Sequence, residues 1–136
     1  MKTMEIITSN SLNELDKIRS FARMACVILA QMDENDDRIP MVELGVNEVA
    51  ANIIKHANRG RENVSFRIAA QAGTQQLDFE FFDNGKKFDP AAVTPPCLDG
   101  SRENGFGIYI VSEIFDKVVY RQNEAGENHS ILTLLL

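Results

Sequence analysis

Residues 40–57 fix two helical stripes at once. Val42, Val46, Val49 and Ile53 recur at spacings of three and four, which puts them on one side of a helix. Glu48, Asn52 and His56 recur every four residues and form a second, polar stripe. A helix with core on one side and a carboxylate, an amide and an imidazole on another can wall a site, although a solvated amphipathic face would carry the same pattern. The helix is predicted to start near Pro40, whose missing N–H suits a first turn. It runs to about Ala57, where Asn58-Arg59-Gly60 ends it. Gly45 inside it costs up to about 1 kcal/mol relative to alanine. Close approach of a neighbouring element can offset that cost.

The rest of the chain divides into short elements around this helix. Met4 to Thr8 is predicted as a strand. Ser11-Leu12-Asn13-Glu14 has the capping-box pattern, with Ser11 capping a helix and Glu14 reaching back. That helix carries Leu12, Leu15, Ile18, Ala22, Ala25, Ile28, Leu29 and Met32 on its apolar stripe, with Lys17, Arg19 and Arg23 off it. The acidic run Asp33 to Asp37 breaks it. Val64, Phe66, Ile68 and Ala70 alternate with polar or small residues, Gly73-Thr74 marks a turn, and Leu77, Phe79 and Phe81 alternate with Asp78 and Glu80. This predicts a hairpin. Residues 84–104 have no apolar period and hold Gly85, Pro90, Pro95, Pro96 and Gly100, a loop of the length that is functional or disordered in a compact domain. Ile108, Val111, Ile114 and Phe115 predict a short buried helix. Val118 to Gln122 and Ser130 to Leu136 predict a closing hairpin about Ala125-Gly126. The order of elements implies an α/β (α+β) sandwich: a mixed, mostly antiparallel sheet with helices on one face. There is no P-loop pattern.

A length of 136 residues suits one domain, 1–136, able to bury roughly two-thirds of its unfolded surface. The net charge of -6 argues against a nucleic-acid partner held by general phosphate attraction, while leaving room for a local nucleotide pocket. Cys26 and Cys97 form no C-x-x-C pair; Cys26 sits in an apolar helical run and is expected in the core. Met1 to Ile7 lacks the apolar core of a signal peptide, and no run reaches the roughly 18 apolar residues of a membrane helix. The expectation is a cytoplasmic protein with no membrane partner.

Two further stretches carry possible chemistry. Asp83 ends a strand and is followed by Asn84-Gly85. This is common turn chemistry, but a carboxylate beside flexible backbone can also accept from a ligand amine. Gly105-Phe106-Gly107 leads directly into a helix, where bare backbone and free N–H groups suit phosphate. A loop-to-helix junction would look the same.

Taken in order, Glu48-x-x-x-Asn52 on a helix, Asp83-x-Gly85 after a strand, a long Pro/Gly loop and Gly105-x-Gly107 opening a helix resemble the GHKL (Bergerat-fold) ATPase superfamily, which takes in gyrase and the ATP domains of histidine kinases. The resemblance runs from Met4 to Leu136. It is most similar to the small anti-sigma factor serine/threonine kinases of bacteria: the chain opens with its own strand and helix, ends with the ATP-binding domain, has Ile53-Ile54-Lys55-His56 after Asn52, and has Gly107-Ile108-Tyr109-Ile110-Val111 after the loop. A histidine kinase would need a dimerising hairpin with a phospho-accepting histidine. His56 and His129 stand in the wrong contexts, and the chain leaves no room for that hairpin.

The resemblance implies ATP and Mg²⁺ as cofactors. Asn52 would ligate the Mg²⁺, and Glu48 would be the general base on the attacking hydroxyl. Asp83 would accept from the adenine amino group, with Gly85 letting the base sit close and Thr133 adding a hydroxyl near it. Gly105 and Gly107 would contact phosphate. Lys55, His56, Phe88, Arg102 and Phe106 complete the implied nucleotide set. Residues 86–104 would form the ATP lid. The pattern departs at Lys87, where relatives usually carry glycine, although Phe88-Asp89-Pro90 follows as in many of them. Arg102 is the one clear basic residue near the glycines, so phosphate grip turns on Lys55 or on a partner. Implied partners are a STAS-type anti-sigma factor antagonist, phosphorylated on serine or threonine, and a sigma factor or similar target held through Arg19 and Arg23. A homodimer is a further expectation. A nucleotide-binding interaction module without kinase activity, and a simple ATPase, stay open beside this reading.

Overall fold

The computed structural model describes residues 2–57, 64–86 and 106–136. Its strands are β1 (Lys2–Ser9), β2 (Ser65–Ala72), β3 (Gln76–Asp83), β4 (Lys117–Gln122) and β5 (Asn128–Leu135). They form one sheet in the order β1-β2-β3-β5-β4. Each of the four pairings is antiparallel, so the sheet is not mixed as the sequence suggested. The helices are α1 (Leu15–Met24), α2 (Arg38–Asn52) and α3 (Phe106–Ile114). α2 packs between α1 and α3.

Period-2 alternation decides which face is covered. Leu77, Phe79 and Phe81 of β3 and Leu132 of β5 are fully buried under the helices. The ring of Phe79 meets Phe21 of α1 edge-on at 6.5 Å and Phe115, just beyond α3, at 6.3 Å. Gly45 answers the cost noted above. A Cβ there would lie 2.5 Å from Phe115 Cε2, so the bare backbone of α2 is what admits that ring.

The opposite face is polar and aromatic. Arg67 stacks its guanidinium over Phe82 at 3.9 Å, and Phe82 stacks on His129 at 4.4 Å. Arg121 Nε–H points to His129 Nδ1 at 3.3 Å, which leaves the Nε2 proton to be donated to Glu80 Oε1 at 3.0 Å.

The first helix departs from the expected stripe. It passes into a π-turn over Ala25–Leu29, closed by the Ala30 N–H on Ala25 O at 2.9 Å. The extra residue rotates the pattern, leaving Ile28 62% exposed while Cys26 enters the core, as expected of it. Leu12 falls in a 3₁₀ turn and is 50% exposed, and Phe21 takes a core position the stripe had not included. The capping box is also rearranged. Ser11 Oγ accepts from the Asn13 N–H at 3.2 Å, while Glu14 accepts from Ser9 Oγ at 3.0 Å and pairs with Lys17 at 2.9 Å instead of reaching back. Among the described residues no helix is long and apolar enough to cross a membrane.

Candidate functional site

The rotation of α2 is set from both sides. Val42, Val46, Val49 and Ala50 are buried. Toward α1, Arg19 Nη1 donates to Asn47 Oδ1 at 2.6 Å, Arg19 also pairs with Asp16, and Arg23 pairs with Glu43 at 3.7 Å. Toward α3, Gly45 receives Phe115 and Glu48 lies over Gly107. Glu48 and Asn52 are both half-buried, one helical turn apart, and Lys55 is exposed. Lys55 and His56 fall in a second π-turn, Ile53–Ala57, rather than in a continued α-helix. The side chain of His56 lies outside the described residues.

Asp83 is the last residue of β3 and shares the parity of Leu77, Phe79 and Phe81, so it faces the helix layer. It is 4% exposed. Asp83 Oδ1 accepts from the Gly85 N–H at 2.9 Å and from Asn128 Nδ2 at 2.9 Å. Asn128 Nδ2 also lies 3.0 Å from Gly85 O and 3.3 Å from Lys86 O. One amide thus orients the carboxylate and pins the turn that follows it. A carboxylate has about four acceptor positions, so two protein donors leave capacity for a ligand amine. The sequence pattern starts the closing strand at Ser130 and so leaves Asn128 out of the expected site, whereas β5 starts at Asn128.

Thr133 is corrected by the same register. It pairs with Asp78, and its hydroxyl donates to Asp78 Oδ1 at 2.6 Å. It stands five positions along β5 from Asn128, an odd number, so it occupies the face away from the helices and roughly 17 Å down the strand. It cannot add a hydroxyl beside Asp83.

The structure brings Glu48 against Gly107 where α2 meets α3, with Asn52 one turn further along α2, and sets Asp83, Gly85 and Asn128 together at the end of β3. Phe88, Arg102, Gly105 and Lys87 lie outside the described residues, as does the expected lid beyond Lys86; of Phe106 only the backbone is described. No group of three or more His, Cys, Asp or Glu residues able to hold a metal occurs among the described residues. Asn52, half-buried on α2, carries a neutral amide oxygen of the kind that Mg²⁺ accepts.

Residues 9–134 match the family profile of the histidine kinase-like ATPase domain. A search of curated proteins gave no match.

Proposed function

Because the chain belongs to the histidine kinase-like ATPase domain family of the GHKL superfamily, we propose that it binds ATP with Mg²⁺ and transfers the γ-phosphoryl group to a serine or threonine of a STAS-type antagonist, while holding a sigma factor or similar regulatory target. The observation that carries the nucleotide reading is Asp83: buried, turned toward the helices and fixed by Asn128 and the Gly85 N–H. A pre-oriented acceptor at that place suits the exocyclic amine of adenine, and the cost of burying a carboxylate is met by donors already in position.

Each residue then has a defined task. Asp83 selects the base and Gly85 keeps the backbone near it bare. Asn52 would hold Mg²⁺ through its neutral amide oxygen, and the cation would supply charge neutralisation for phosphoryl transfer. Glu48, one turn before Asn52, takes the proton of the attacking hydroxyl. A pure binding module needs Asn52 but has no use for a base there, and this favours the kinase reading over the module. Phosphoryl transfer relies mainly on positioning and charge neutralisation, so so small a set of groups is chemically sufficient.

Calorimetry tests the nucleotide half. Asp83→Asn should lose ATP and ADP binding alike, whereas Asn52→Ala should lose only the Mg²⁺-dependent part. Unchanged affinity in both variants would overturn the site. Incubation with labelled ATP and the antagonist encoded beside the gene tests the transfer half; ATP and target binding without any transfer would favour the module.

A further inference from the structure

Gly107 lacks a side chain where one would collide with Glu48. A Cβ on its backbone would come within 2.6 Å of Glu48 Oε2, with Glu48 Cδ at 3.6 Å and Glu48 Cβ at 3.7 Å. Backbone conformation does not call for glycine here. Gly107 is the second residue of α3, and Gly126 is the glycine with positive φ among the described residues. An alanine would suit the helix better. What glycine uniquely provides at this position is space, and the group that fills the space is the Glu48 carboxylate.

We propose that Gly107 is a positioning residue for Glu48: its bare Cα forms the seat that holds the carboxylate against the first turn of α3. The inference rests on the reading of Glu48 as the base, and it gives the second glycine of Gly105-Phe106-Gly107 a task separate from phosphate contact. The contact fixes how far the carboxylate can swing on its flexible stem. The atom in the way is the far end of that stem, so a methyl group at position 107 moves the carboxylate and leaves the fold in place.

Gly107→Ala in the full chain separates the two tasks, because alanine keeps the backbone N–H. The melting temperature should be unchanged or higher. Read at ATP·Mg²⁺ concentrations that saturate each protein, so that any change in affinity at Gly107 drops out of the comparison, single-turnover transfer to the STAS-type antagonist should fall at least about tenfold, the scale on which a misplaced catalytic group is felt. Glu48→Asp, whose shorter stem clears the methyl group, should cost much less in the Gly107→Ala background than in the native chain. Additive effects of the two substitutions, or a native rate at saturation, would overturn the seat. A readout free of activity distinguishes this from failure of the kinase reading. In ¹³C-glutamate-labelled protein without nucleotide, the Glu48 Cδ resonance, assigned by its loss in Glu48→Gln, should move in Gly107→Ala. If it moves but the native chain transfers nothing, the seat stands and the kinase reading falls. If it does not move, the seat falls.

Discussion

Asn128 reaches from β5 to β3 and holds the Asp83 carboxylate, Nδ2 to Oδ1, at 2.9 Å. Both residues are buried, at 7% and 4% exposure. Asn128→Ala leaves a buried carboxylate short of a donor and frees the Gly85-Lys86 carbonyls. It should cost about 1–3 kcal/mol of stability and weaken ATP binding by about tenfold or more, since each factor of ten is about 1.4 kcal/mol. Urea titration and calorimetry on the same variant check the two effects. Native affinity would mean that Asp83 does not depend on this amide.

Two glycines in the same interface should respond in opposite ways. At Gly45 the obstacle is the ring of Phe115, locked by Phe79, so Gly45→Ala overpacks the core. Overpacking costs about 1–3 kcal/mol against a helix-propensity gain of up to about 1 kcal/mol, so the variant should lose stability. At Gly107 the obstacle is the far end of the Glu48 side chain, which can turn aside, and stability should hold. Thermal melts of the two variants side by side test this contrast.

Cys26 offers a chemical probe of the core. Burial pushes its thiol up to about 12, with the nearby Glu43 carboxylate adding to the effect. A thiol raised in the folded state adds stability below its ordinary value near 9, and that stability is lost as pH rises from there toward about 12. In a Cys97→Ser background at pH 8, iodoacetamide should label Cys26 only as fast as the protein unfolds. Rapid labelling of native protein would contradict the π-turn that carries Cys26 inward.

Much of this arrangement is legible in the residues. The valine stripe sets the rotation of α2, and that rotation decides where Glu48 and Asn52 point; the alternation through Leu77, Phe79 and Phe81 carries forward to Asp83 and puts it under the helices. Gly45 announces a close approach, and Phe115 makes it. What escapes is governed by tertiary contact. The π-turns leave no mark in a four-residue period, so the apolar stripe places Ile28 inside whereas it lies outside. The register of β5 is set by its pairing with β3, and Asn-His is a poor strand opening by propensity alone. Starting the strand two residues late hid Asn128, and nothing local to Thr133 shows that it faces the other side.

Arg19 and Arg23, expected at a partner surface, also clasp α1 to α2 through Asn47 and Glu43. Arg19 is partly exposed and its pairs are screened, so Arg19→Ala should cost less than about 1 kcal/mol in stability. If Arg19 also holds a regulatory target, Arg19→Glu should abolish capture of that target in pull-down while ATP affinity stays near native. Unaffected capture would leave Arg19 with the helix clasp as its whole role.

Single-turnover phosphoryl transfer by Glu48→Gln, with ATP·Mg²⁺ and the STAS-type antagonist, isolates the contribution of the base. Glutamine keeps the shape of the residue and removes its basicity. Glu48→Gln should bind ATP nearly as the native chain does and transfer at least about a hundredfold more slowly, within the 10²–10⁴-fold range of a general base. Transfer at the native rate would rule out Glu48 as the base.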